Sequence, residues 1–381
     1  MGSTLDGLKG IAVRRSSVDM VLKLPPLPQR KDLVHPISMN NDELEIEAHR
    51  LMERIGQKMR WSLDACRTIA PLTLKINHLK KEKDVILIAH TYQTPDIVYG
   101  VADAVGDSYT LSKIARDAPQ SIILFSSVRF MAETAKILSP DKTVLHPSPE
   151  AGCSLSEGIN ADDVRKLRAL HPGVPVACYI NTTAAVKAEC DVCVTSSNYL
   201  SIAENLPGDE LIFVPDRLMG QHLRTHLEGK KTVYLHEADC EVHAAFNTTS
   251  IQRQRREARK RGIELRVLAH PECDADVLAA SDFVGSSERI LIEAKRIASE
   301  EEAAVMMITE CGTAERAMAE SEKPIELMGT CSMCRHMKRT HLEDILQAIE
   351  SPRGDQIIEI GDDVIGRARD CLNQMFELAE S

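Results

Sequence analysis

The sequence predicts an α/β protein built from three small domains with parallel sheets. Three observations carry the prediction. Short apolar strands alternate with helix-like stretches, a unit of roughly 90 residues runs through the chain three times, and polar residues gather at the same strand ends in each copy. The 381 residues, 43% hydrophobic and 27% charged, are enough for two to three domains with sizeable cores.

The repeat begins with the strands Val85–His90, Pro175–Tyr179 and Arg266–His270. Each ends in a polar pair spaced by two: His90 and Tyr92, Tyr179 and Asn181, His270 and Glu272. The first members of the pairs are 89 and 91 residues apart. Alternation along a strand places both members of a pair on one side. Next come Gly106-Asp107-Ser108, Thr195-Ser196-Ser197 and Gly285-Ser286-Ser287, each ahead of a helix-like stretch: Leu111 to Ala115, Leu200 to Ala203 and Ile290 to Ala294. A second strand follows in each unit (Ile122–Phe125, Leu211–Val214, Ala304–Ile308), then a third (Thr143–Leu145, Thr232–Leu235, Pro324–Leu327). Each third strand runs into cysteine: Cys153, Cys240, then Cys331 and Cys334. Capping residues near Asn160, Thr249 and Thr340 start the next helix. Ligand sites of parallel sheets lie beyond the carboxyl ends of the strands, so three related domains bring these features to one central point.

The units are bounded as 81–164, 165–251 and 252–350. Residues 1–80 form an N-terminal extension that packs on the first unit, with a stiff linker at Pro25, Pro26 and Pro28 and helix over Asp42–Ala70. Residues 351–381 open with a loop around Pro352 and Gly354. They close with a helix from about Asp363, expected to pack back on the first unit.

Composition narrows the function. The 57 acidic residues outnumber 46 basic ones, for a net charge of −11, which argues against nucleic-acid binding. The Arg-rich run Gln252–Gly262 reads as a solvated helix face. The longest apolar run, Ala303 to Ile308, is about six residues against the ~20 needed to span a bilayer. No apolar stretch follows Arg14 and Arg15 as a secretory signal requires, and a cytoplasmic location is expected. Eleven cysteines, an odd number, read as reduced thiols rather than a disulfide framework.

The repeat-terminal cysteines point to metal. Three thiolates suit an iron–sulfur cluster or zinc. A three-thiolate [4Fe–4S] cluster leaves one iron open to substrate as a Lewis acid. For the third ligand the repeat spacing leaves Cys331 and Cys334 both open, 61 and 64 residues after His270, against 63 and 61 in the other units. Cys178, Cys190, Cys193 and Cys311 read as core, and Cys66, Cys273 and Cys371 carry no motif. Tyr92, His270 and Glu272 supply groups for acid–base chemistry, and the serine loops at helix starts suit a carboxylate or phosphate. Two other classes stay in view: a structural metal module with four closed ligands, and an iron–sulfur hydro-lyase acting on another hydroxy acid.

Several motifs resemble quinolinate synthase. They are Ala89-His90-Thr91-Tyr92-Gln93, Gly106-Asp107-Ser108, Arg129 to Lys136, Ala151-Gly152-Cys153-Ser154, Tyr179-Ile180-Asn181-Thr182, Val194 to Asn198 and His270-Pro271-Glu272. The resemblance runs in order from about residue 80 to the C-terminus. It implies three three-layer α/β/α domains around a pseudo-threefold axis, with one [4Fe–4S] cluster on that axis. The implied reaction condenses iminoaspartate with dihydroxyacetone phosphate to quinolinate, phosphate and water in NAD biosynthesis. An aspartate-oxidising enzyme would supply the first substrate. The family's cluster ligands fall on Cys153, Cys240 and Cys334, the last because Met337 completes its Cys-x-x-Met pattern. Its substrate contacts fall on His90, Tyr92, Asp107, Ser108, Tyr179, Asn181, His270 and Glu272, with the serine loops at Ser196, Ser197, Ser286 and Ser287. Ser287 stands where the family commonly has Thr. Some members carry a third cysteine near Cys334; with two here, a regulatory Cys331–Cys334 disulfide stays open.

Overall fold

A run of apolar residues too short for a helix and buried on both faces is the mark of a parallel strand. The computed structural model, which describes residues 40–56, 59 and 61–380, turns eleven such runs into three parallel sheets. The first holds β1 (Val85–His90), β2 (Ala104–Gly106), β3 (Ile122–Ser126) and β4 (Thr143–Leu145), in the order β2-β1-β3-β4. The second holds β5 (Val176–Tyr179), β6 (Val192–Val194), β7 (Glu210–Val214) and β8 (Thr232–Leu235), in the same relative order. The third holds β9 (Glu264–Ala269), β10 (Phe283–Val284) and β11 (Ala303–Ile308). Helices flank all three, so the three-domain α/β/α architecture expected from the repeat is the one observed.

Two details differ from the sequence expectation. Each unit gains a short strand before its serine loop (β2, β6, β10), too brief to leave a periodic signal. The expected strand Pro324–Leu327 contracts to one parallel bridge, Leu327 with Val305. Pro324 has no N–H for the ladder, and pairing is limited to Val305 N–H on Glu326 O and Met328 N–H on Val305 O.

Among the described residues, the helical stretch expected over Asp42–Ala70 includes the helices Asn41–Leu51 and Leu63–Glu82 and a π turn at Met52–Gly56. The second starts on an N-cap, the Ser62 hydroxyl accepting from Ala65 N–H. It continues through Pro71 because Ile69, Thr73 and Ile76 keep one buried stripe. It packs with Leu342–Glu350 and the face of the first sheet around Leu87 and Leu124. The linker at Pro25, Pro26 and Pro28 lies outside the described residues. The last helix, Asp362–Glu380, was expected on the first unit and is found against two. Arg369 Nε donates to Ile137 O (3.0 Å) in the first, whereas Arg367 donates to Ala188 O (3.1 Å) and Cys371 Sγ lies 3.7 Å from Cys178 Sγ in the second. Its apolar face is wide enough to bury Cys371, Leu372, Met375 and Phe376 in one core shared by both units. Among the described residues no helix is long and apolar enough to cross a membrane.

Candidate active site

The carboxyl ends of β1, β5 and β9 open on one cavity. It is lined by the strand-end groups His90, Tyr92, Tyr179, Asn181, His270 and Glu272, by Asp107, Ser108, Ser196 and Ser287 from the loops, and by Cys153, Cys240 and Cys334.

A repeated backbone bond sets each cysteine. The first residue of a helix donates its N–H to a loop carbonyl: Arg129 to Ala151 (2.9 Å), Arg217 to Ala238 (2.8 Å) and Cys311 to Ser332 (3.1 Å). Two residues beyond each acceptor stand Cys153, Cys240 and Cys334. Cys331 is not at the equivalent position and does not line the cavity; it forms a disulfide with Cys311. That pairing corrects two expectations. The bridge open to Cys331 runs to Cys311 rather than to Cys334, and Cys311 is not a plain core thiol. The fold brings residues 20 apart together because the Cys311–Glu320 helix starts beside the returning loop.

The three cavity thiols are acid-weakened. Burial, with Cys334 and Glu272 nearby, pushes Cys153 up to about 12. Burial pushes Cys334 up to about 11, and burial with Glu272 and Cys153 raises Cys240 well above its usual value. Their sulfurs do not all lie within 4.8 Å of one another; among the described residues the trio that does is Cys240, His243 and Glu272. Both ring nitrogens of His243 are engaged within the protein, Nδ1 with Glu272 Oε2 (2.7 Å) and Nε2 with Thr309 Oγ1 (3.1 Å).

A polar network surrounds them. Tyr179 O–H donates to Glu272 Oε1 at 2.5 Å. His243 and His270 stack with centroids 4.4 Å apart. Burial alone would push the Glu272 carboxyl up; the two histidines and the bonds from His243 and Tyr179 hold it below its usual range instead. Burial lowers His90 and His270 to about 3, so both rings are neutral near pH 7. Tyr92 O–H meets Ser287 Oγ (2.6 Å) and Thr309 Oγ1 (3.2 Å), and burial beside Glu272 raises it well above the phenol range. Asn181 Oδ1 is buried without a partner.

Residues 74–377 match the family model described as quinolinate synthetase A protein. A quinolinate synthase of Caulobacter vibrioides is 39% identical over 343 residues, 88% of this chain and 89% of that protein. One of Sinorhizobium medicae is 40% identical over 311 residues, 82% and 83% of the two chains, and one of Xylella fastidiosa 39% over 284 residues, 74% and 81%. The chain belongs to the quinolinate synthase family. In this member, two serines named from the sequence do not line the cavity. Ser286 spends its hydroxyl as the N-cap of Ser287–Glu300, accepting from Arg289 N–H, and Ser197 Oγ pairs with Thr195 Oγ1 (2.8 Å). The second unit's helix also starts late, at Tyr199, after a turn in which Asn198 Oδ1 accepts from Thr195 N–H.

Sequence reasoning missed His243, Thr309 and Gly152. His243 had a signal, standing three residues after Cys240, which is ligand-like spacing. Gly152 had none. A Cβ there would meet Glu157 Oε1, the far end of a side chain that also accepts from Cys153 N–H, so a larger residue would displace that carboxylate.

Proposed function

We propose that this chain condenses iminoaspartate with dihydroxyacetone phosphate to give quinolinate, phosphate and water for NAD biosynthesis, with a [4Fe–4S] cluster held by Cys153, Cys240 and Cys334. The observation that carries the reading is the convergence of one cysteine from each unit on the cavity that also holds all three strand-end pairs.

The donor set fits such a group. Three soft thiols, held protonated by burial and by mutual repulsion, need a cation to become thiolates. One zinc ion would draw its sulfurs to about 3.8 Å of one another, given Zn–S bonds of ~2.3 Å. At least one pair of these sulfurs stands more than 4.8 Å apart, wider than a single zinc ion would hold them. Cys153, Cys240 and Cys334 would hold the cluster, which would supply Lewis-acid chemistry for loss of a hydroxyl.

The chain's own residues do the rest. Tyr92, kept neutral, donates a proton through its O–H. Glu272, kept ionised, accepts one, with Tyr179 and His243 fixing its two oxygens. Neutral His270 stacks on His243 and holds that face of the site in register. The hydroxyls of Ser108 and Ser287 stand at the starts of two helices, where a phosphate or carboxylate is stabilised. Asn181 Oδ1, buried and unpaired, is aimed at a substrate N–H or O–H. Iminoaspartate would come from an enzyme that oxidises aspartate.

The test is an anaerobic iron and sulfide count on Cys→Ser variants. Cys153→Ser, Cys240→Ser and Cys334→Ser should each fail to hold a full cluster, while Cys331→Ser should keep one. Full loading of Cys334→Ser with loss in Cys331→Ser would overturn the ligand assignment. A wild-type chain that forms quinolinate at full rate without iron would overturn the reading itself.

A further inference from the structure

Glu310 is fully buried at the end of β11, where it caps the helix Cys311–Glu320. A cap needs one carboxylate oxygen, and Oε2 serves, accepting from Gly312 N–H at 2.6 Å. The other oxygen reaches out of its element. Oε1 accepts from Cys334 N–H at 3.1 Å and lies 3.2 Å from Lys338 Nζ. The Lys338 ammonium in turn donates to Tyr92 O at 2.6 Å. Gly312 lets the helix close on the same loop; a Cβ there would lie 2.5 Å from Thr91 O and 2.8 Å from Tyr92 Cα.

The repeat supplies a control. Asp216, the equivalent cap of the second unit, accepts from Met219 N–H through Oδ1, and its Oδ2 is buried without a partner. Cys153 N–H also meets a carboxylate, Glu157 Oε1 at 3.2 Å, but from the helix that Cys153 itself caps. In the third unit the carboxylate holds Lys338, and the ammonium carries the contact to the first unit. Keeping a charge this deep requires a hydrogen-bonded partner of opposite charge, which Lys338 provides.

We propose that Glu310 and Lys338 are positioning residues: a carboxylate–ammonium strut that locks the Cys334 backbone of the third unit to the Tyr92 backbone of the first. The inference rests on reading Cys334 as a cluster ligand and Tyr92 as the proton donor. Groups behind a metal ligand commonly tune affinity by about 10–100-fold. The strut therefore governs how firmly the third thiolate holds iron and how well Tyr92 is aimed.

The experiment uses the full chain with Glu310→Gln, Lys338→Met and Lys338→Arg. After anaerobic reconstitution, iron loss to a ferrous chelator should be about 10–100-fold faster in Glu310→Gln and Lys338→Met. Their kcat should fall with KM near wild type, and Lys338→Arg should follow the wild-type chain. Wild-type iron retention and kcat in both of the first two variants would overturn the strut, as would equal defects in Lys338→Arg and Lys338→Met. Hydrogen exchange on the metal-free chain reads the strut without the cluster. Glu310→Gln should speed exchange at residues 91–93, in the other unit, and no change there would also overturn it. A wild-type chain that takes up no iron would count against the cluster reading alone.

Discussion

The second and third units solve one problem in two ways. Each must return its chain from the last strand to a cysteine at the central cavity, and each fastens that return to the first residue of a helix. In the second unit the fastening is distributed. β8 pairs with β7 at four positions, and Arg217 then reaches Glu237 (3.4 Å) and Asp239 (2.7 Å), the residues just before Cys240. In the third unit the matching strand is a single bridge, and the residue equivalent to Arg217 is Cys311, joined covalently to Cys331. Arg217 precedes Cys240 by 23 residues and Cys311 precedes Cys334 by 23, so Glu237 and Cys331 are repeat equivalents. The covalent link therefore stands where the sheet contributes least.

The largest expected difference between the units is in rate. On the proposed mechanism Glu272 of the third unit accepts a proton, whereas Tyr179 at the matching strand end of the second donates a hydrogen bond to it and orients it. Glu272→Gln should lower quinolinate formation by about 10²–10⁴-fold. Tyr179→Phe removes one hydrogen bond to a charged group, worth about 1.5–3 kcal/mol, and should cost roughly 10–100-fold. Steady-state assays on both variants, with cluster content matched, decide the point. Equal losses would mean that the two units share the proton transfer rather than dividing it.

Much of this layout was legible before any coordinates. Strand ends and capping residues recur at fixed steps, so the three sheets and the cavity follow from residues such as His90, Tyr179 and His270. The fastenings were not legible, because they depend on which loop lies beside which helix start. Cys311 ends an apolar strand in the sequence and looks like core; only the returning loop shows that it faces Cys331. Strand-to-cysteine spacing left Cys331 and Cys334 both open, and only the family pattern pointed to Cys334. Counting from the helix start instead, the second and third units agree. His243 stayed hidden for a related reason: its partners Glu272 and Thr309 come from another unit.

A smaller effect is expected from the third unit's fastening. The double variant Cys311→Ser/Cys331→Ser opens a covalent loop of 20 residues. Removing a link that closes a loop of this length should lower unfolding free energy by about 2–4 kcal/mol. Urea titration of the metal-free chain measures it, and anaerobic reconstitution then asks whether the cluster still forms. Full stability in the double variant would mean that the single bridge at Leu327 already holds the loop and that the two units are fastened alike.

The smallest effect is expected at Arg217→Met. Arg217 is 30% exposed, Asp239 32% and Glu237 81%, so solvent reaches every member of the network. Pairs of this kind contribute about 0.2–1 kcal/mol. The four β8 pairings remain after the substitution, and so does the backbone bond from residue 217 to Ala238. Salt separates this case from the disulfide. At about 1 M salt the screening length falls to ~3 Å, so the difference between Arg217→Met and wild type should shrink towards zero. The cost of the double serine variant should persist there, because a covalent loop constraint is not screened. Urea is the suitable denaturant, since guanidinium chloride would itself supply the salt. A loss above about 2 kcal/mol for Arg217→Met that survives high salt lies outside the range for exposed pairs. It would show that the ion pair, not the sheet, carries the return to Cys240.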